Sequence, residues 1–145
     1  MPELVFEGTA NWIGGVECDL IVKGERLATV SPPPEFGGKA EYPAPEEIFA
    51  ASLASCMNTI YILVARNSQL PLKNVETTAK IKVSVDGMEK LVFTSIEFNI
   101  SIKLETDDAR NRKKAENILR VAERICPLRQ SWGDKVPITF KLSFQ

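Results

Sequence analysis

The chain contains no histidine. Imidazole is the usual proton shuttle near neutral pH and the commonest metal ligand. Its absence excludes Ser-His-Asp and Cys-His nucleophiles within this chain. It also excludes zinc sites of mixed cysteine and histidine type, and three scattered cysteines cannot build a four-cysteine site. No metal and no bound cofactor are therefore expected. Glycine is sparse, and Gly14-Gly15 and Gly37-Gly38 are isolated pairs without the spacing of a phosphate loop. There is no basic excess: 18 Lys and Arg stand against 19 Asp and Glu, a net charge of -1. That argues against a nucleic-acid partner.

Long apolar runs are missing too. The most apolar stretch is interrupted by Asn58 and Arg66, short of the roughly 20 residues that span a bilayer. The N-terminus has no basic start leading into an apolar run, so no signal peptide is expected. The reading is a cytoplasmic protein with no membrane partner, in a compartment where thiols stay reduced. An odd number of cysteines, Cys18, Cys56 and Cys126, does not suggest a disulfide framework.

What is present fits one ordinary domain, residues 1–145, with 44% hydrophobic and 26% charged residues. Strands are expected over Leu4–Ala10, Cys18–Lys23 and Leu27–Val30, punctuated by Gly14-Gly15 and Gly24-Glu25. A proline-rich loop follows over residues 31–39. Pro45 suits the first position of a helix, and Glu46-Glu47 complement the positive end of its dipole. Phe49, Leu53, Cys56, Ile60 and Leu63 recur at helical spacing. Small residues fill most other positions to Ser55, which predicts a helix buried between layers. It should end near Arg66-Asn67.

Ala79, Ile81, Val83 and Val85 then alternate with polar residues, as do Ile96, Phe98, Ile100, Ile102 and Leu104, with Asp86-Gly87 as a turn signal between the two runs. The pattern predicts an antiparallel pair with one buried face. Thr106-Asp107 can cap a second helix whose apolar face is Ala115, Ile118, Leu119, Ala122 and Ile125. Cys126 falls at its end, and Pro127 forbids simple continuation. A last alternating strand spans Val136 to Phe144. The order β-β-β-α-β-β-α-β is an α+β pattern.

Without histidine, a thiolate is the leading candidate for covalent chemistry. Two thiols on separate elements can also close a disulfide. Each cysteine alone equally fits a small buried packing residue.

The segment Pro45-Glu46-Glu47-Ile48-Phe49-Ala50-Ala51-Ser52-Leu53-Ala54-Ser55-Cys56, with Cys126-Pro127 about 70 residues later, resembles the OsmC/Ohr family of osmotically inducible and organic-hydroperoxide-resistance proteins. The element order agrees over essentially the whole chain, and the OsmC-like subgroup fits best. The resemblance implies an α+β OsmC-like fold, with antiparallel sheets around central helices in an intertwined homodimer. It implies a thiol peroxidase for organic hydroperoxides, with hydrogen peroxide as a further candidate substrate. Cys56 would attack the peroxide and Cys126 would close a disulfide with it. A dithiol reductant of lipoyl or thioredoxin type would restore both thiols. Glu46 matches the family glutamate that orients an arginine.

Helix-end charge agrees with these roles, since a thiolate at Cys126 would face the negative end of the second helix. Cys56, mid-helix, needs a nearby cation. Ohr members carry an arginine shortly after an N-terminal glycine pair, but here Val16-Glu17 follow Gly14-Gly15 and no arginine precedes Arg26. Arg26 or Arg129 are the candidate substitutes, with Lys23 and Lys39 weaker because they lack the guanidinium fork. Glu46 lies about 15 Å from Cys56 along a straight helix, so direct contact is not expected. Cys18 matches no family motif and reads as a strand residue. Phe36, Phe49 and Trp132 could line an apolar pocket or simply pack. The alternative function is a non-enzymatic OsmC-like protein binding a small apolar ligand at the dimer interface. A thiol hydrolase is weaker still, for want of a base.

Overall fold

The computed structural model describes residues 1–87 and 89–145. It divides into two compact units, Met1–Phe49 and Ala50–Gln145.

The first unit is an antiparallel three-stranded sheet, β1 (Thr9–Gly14), β2 (Glu17–Val22) and β3 (Glu25–Val30), in that order. The first strand lies later than the sequence suggests. Pairing of Thr9 with Ile21 and Trp12 with Cys18 sets its register, and the apolar Leu4, Val5 and Phe6 are left more than three-quarters exposed. Hydrophobicity alone marked the wrong segment; cross-strand hydrogen bonds select the strand. Gly14 and Gly15 both have positive φ in the β1–β2 turn, a conformation glycine adopts without Cβ strain. A single 3-10 turn, Pro34–Phe36, interrupts the proline-rich loop.

Helix α1 runs from Pro45 to Asn67, as its proline and acidic first turn predict. Glu47 Oε1 accepts the Ala44 backbone N–H at 2.9 Å, the reach-back half of a capping box.

The second unit holds a mixed sheet in the order β4 (Leu72–Asp86), β5 (Lys90–Leu104), β6 (Ile138–Phe144). β4 and β5 pair antiparallel as expected, but each is 15 residues long. The alternation in 72–78 is hidden by a register shift after Leu72 and by Thr77, which turns inward and donates to Asn58 Oδ1 at 2.8 Å. β6 pairs parallel to β5, so this sheet is not purely antiparallel. Parallel neighbours need a long crossover, here α2 (Ala109–Ile125) and α3 (Pro127–Trp132). The α2 N-cap is Asp108, whose carboxylate accepts the Asn111 N–H. Neither Thr106 nor Asp107 caps it: Asp107 takes a two-pronged Arg112 contact at 2.6 and 2.8 Å instead.

The core gathers Met57, Tyr61 and Ala65 of α1, alternate residues Ile96 to Leu104 of β5, and Ala115, Ile118 and Ala122 of α2. The Tyr61 hydroxyl donates to the Ala115 carbonyl at 3.0 Å and ties α1 to α2. Burying one aliphatic side chain of this kind contributes roughly 1.5–3 kcal/mol.

Contrary to expectation, α1 is not enclosed on all sides. Its fully buried residues are Met57, Tyr61 and Ala65, while Ala51, Ser52, Ser55, Cys56, Thr59, Ile62 and Leu63 are exposed. The expectation about apolar length also fails: α1 is long and apolar enough to cross a membrane by length and composition. The Tyr61–Ala115 bond ties this helix to α2 and the Thr77–Asn58 bond ties it to β4.

Candidate active site

In the second unit, Cys56 lies on the open face of α1 and Cys126 in the core at the α2–α3 junction. Both are free thiols. Partial burial pushes the Cys56 thiol up, and the neighbouring Cys126 thiol adds to the rise. Neither influence is a cation, so nothing named here favours the thiolate. Cys126 is buried, at 3% exposure.

The helix-end argument for the two roles does not survive. Cys126 is at once the C-cap of α2 and the N-cap of α3, with extended backbone. Pro127 stops one helix and, with its missing N–H and fixed φ, starts the next. The negative end of one dipole and the positive end of another therefore meet at the same residue. The sequence hid this because a six-residue helix leaves almost no periodicity.

Three of the four candidate cations pair with acids. Arg26 approaches Asp19 at 4.0 Å in the first unit. Lys39 Nζ sits 3.0 Å from Glu17 Oε1. Arg129 reaches Glu123 Oε2 at 3.2 Å and lies 5.9 Å over the Phe140 ring in the second unit. Lys23 occupies the β2–β3 turn at φ 53°. Glu46 is exposed on the first turn of α1 and makes no ion pair among the described residues. It lies ten positions before Cys56 on one continuous helix.

Sequence reasoning missed Glu17. This carboxylate is only 6% exposed, behind the glycine turn where the Ohr pattern has an arginine. It accepts the Val16 N–H at 2.9 Å and the Lys39 ammonium. The Lys39 hydrogen bond holds Glu17 below the usual carboxylate range and raises Lys39 in turn. The pair flanks a cavity of about 440 Å³ with Ile13, Gly14, Gly15 and Tyr42. The signal available was an acid two residues after a glycine pair, but its partner is 22 residues away. Cys18 pairs with Val30 on β3 and Trp12 on β1, a strand position as expected. Phe36 and Phe49 are half-buried in the first unit, and Trp132 is 39% exposed in the second. No group of three or more Cys, Asp or Glu able to hold a metal occurs among the described residues.

The family model for OsmC-like proteins matches residues 38–141. The chain belongs to the OsmC-like family. An organic hydroperoxide resistance protein-like protein of Staphylococcus aureus strain USA300 is 26% identical over 123 residues, 84% of each chain. Among solved structures, an OsmC-like protein from Vibrio cholerae superposes with TM-score 0.80 at 13% identity, over 97% of this chain and 99% of that one. An organic hydroperoxide resistance protein from Elizabethkingia anophelis gives 0.77 at 18% identity, over 99% and 100%. These likenesses establish the OsmC-like fold.

Proposed function

We propose that this OsmC-like protein is a thiol-dependent peroxidase of organic hydroperoxides. The Cys56 thiolate attacks the peroxide; the O–O bond breaks, an alcohol leaves with a proton, and Cys56 becomes a sulfenic acid. Cys126 then displaces hydroxide, which leaves as water with the Cys126 proton, and a Cys56–Cys126 disulfide results. A dithiol of lipoyl or thioredoxin type restores both thiols. A reducing cytoplasmic compartment suits this cycle. Glu46 would orient a cation toward the thiolate, within a homodimer.

One observation carries this reading: an exposed Cys56 and a buried Cys126, both free thiols, in the same unit. The name of the S. aureus relative supports the substrate class. The homodimer is supported by the open face of α1, where Ile62 and Leu63 are 36% and 48% exposed.

The test is loss of two thiols per chain on addition of cumene hydroperoxide or tert-butyl hydroperoxide. Cys56→Ser should abolish turnover with a dithiol reductant. Full turnover in that variant would end the proposal.

A second reading is a non-enzymatic binder of a small apolar ligand at the dimer interface. The upward push on the Cys56 thiol and the pairing of Arg26, Lys39 and Arg129 with acids favour it. It calls for slow, peroxide-independent thiol oxidation and a ligand retained through native mass spectrometry.

A further inference from the structure

Cys126 occupies a break between two helices, yet the break is bridged. Arg129 of α3 reaches back to Glu123 of α2 at 3.2 Å. Gln130 Nε2 donates to the Arg124 carbonyl at 2.9 Å. The Gln130 backbone N–H donates to the Cys126 carbonyl at 3.0 Å. The Arg129 guanidinium also lies over Phe140 of β6, whose ring stacks on Phe98 of β5 at 5.2 Å and 15°. The last turn of α2, the first turn of α3 and the sheet are thus joined by side chains on both sides of one cysteine. The Cys126 side chain itself makes no cap hydrogen bond, so its orientation follows the backbone that these contacts hold.

We propose that Glu123 and Arg129 form a clasp that positions Cys126 for disulfide closure with Cys56, and so decides whether an oxidised Cys56 is resolved or oxidised further. This rests on the peroxidase reading above for the identity of the oxidant. Both thiols lie in the second unit, Cys56 on the exposed face of α1 and Cys126 in the core between the two clasp residues. Resolution breaks the S–O bond of the Cys56 sulfenic acid, forms the S–S bond and releases water. The competing step consumes a second hydroperoxide, converts the sulfenic acid to sulfinic acid and releases an alcohol. Opening the clasp lets α3 swing on the Pro127 junction and lowers the fraction of chains with Cys126 in line. Arg129 and Glu123 are positioning residues, acting through Cys126.

The experiment compares wild type, Arg129→Met, Glu123→Gln and the charge swap Glu123→Arg/Arg129→Glu. Each is exposed to a fixed excess of cumene hydroperoxide, and mass spectrometry reads the ratio of disulfide to Cys56 sulfinic acid. An exposed ion pair is worth at most about 1 kcal/mol, so the ratio should fall up to about fivefold in each single variant. The charge swap should restore it, which a merely structural loss would not. An unchanged ratio in both single variants, or no recovery in the swap, overturns the proposal. Slower attack on peroxide with an unchanged ratio would make Arg129 the cation of the thiolate and also overturns it. If wild type consumes no peroxide, the peroxidase reading fails separately. Closure driven by diamide then decides the clasp: slower closure in Arg129→Met supports it, and equal rates or no disulfide in wild type refute it.

Discussion

The reactivity of Cys56 should climb steeply with pH across the neutral range. Burial and the Cys126 thiol both raise this group, and Arg26, Lys39 and Arg129 are paired with acids. An unperturbed thiol with a pKa of about 8.5 is about 0.3% thiolate at pH 6 and about 24% at pH 8, a rise of about 75-fold. Because the shift at Cys56 is upward, its rise over the same interval should be at least that large and approach tenfold per pH unit. A thiolate stabilised to a pKa of about 6 would rise only about twofold. Iodoacetamide modification of the Cys56 peptide, followed by mass spectrometry from pH 6 to pH 9, measures the slope. A rate that levels off below pH 7 would refute the reasoning and require a cation at the thiol.

Burial pushes Tyr61 far above the ordinary tyrosine range near 10. Below that pH neither folded nor unfolded chain loses the proton. Above it only the unfolded chain does, so stability should fall as pH rises; Tyr61→Phe should flatten the fall in urea midpoint between pH 9 and pH 11, and an unchanged slope would contradict the assignment. The same substitution removes the bond to the Ala115 carbonyl and should cost about 1 kcal/mol at pH 7. At Gly38 a Cβ would lie 1.6 Å from the Pro32 carbonyl oxygen and 2.9 Å from Ser31 Oγ. Gly38→Ala should therefore destabilise the chain by about 1–3 kcal/mol, and a wild-type melting temperature would refute the close approach. Leu63→Lys, on the open face of α1, should shift the chain toward monomer in sedimentation, and an unaltered dimer would remove that face from the interface.

Much of the architecture could be read from local chemistry. Pro45, Glu46 and Glu47 marked the start of α1 because proline and acids suit a helix N-terminus whatever surrounds it. Ile96 to Leu104 announced β5 because alternation is a property of the strand itself. The misses have one cause in common, which is that non-local pairing outranks local signal. β1 is chosen by its hydrogen bonds to β2, not by the apolar Leu4-Val5-Phe6. Thr77 faces inward because Asn58 meets it, so its run lacks visible alternation. The buried Glu17 became interpretable only with Lys39 beside it.

The sequence by itself made a thiol the leading candidate nucleophile, since the chain holds cysteine and no histidine to activate a hydroxyl. It also marked Cys56 and Cys126 through the family pattern around them. Tertiary structure decided what those thiols experience. Packing on β5 and α2 buries one face of α1 and leaves the Cys56 face open. The Pro127 junction puts Cys126 between two helix ends of opposite sign. A thiol's reactivity depends on burial, neighbouring charge and orientation, and each of these arises from residues far away along the chain.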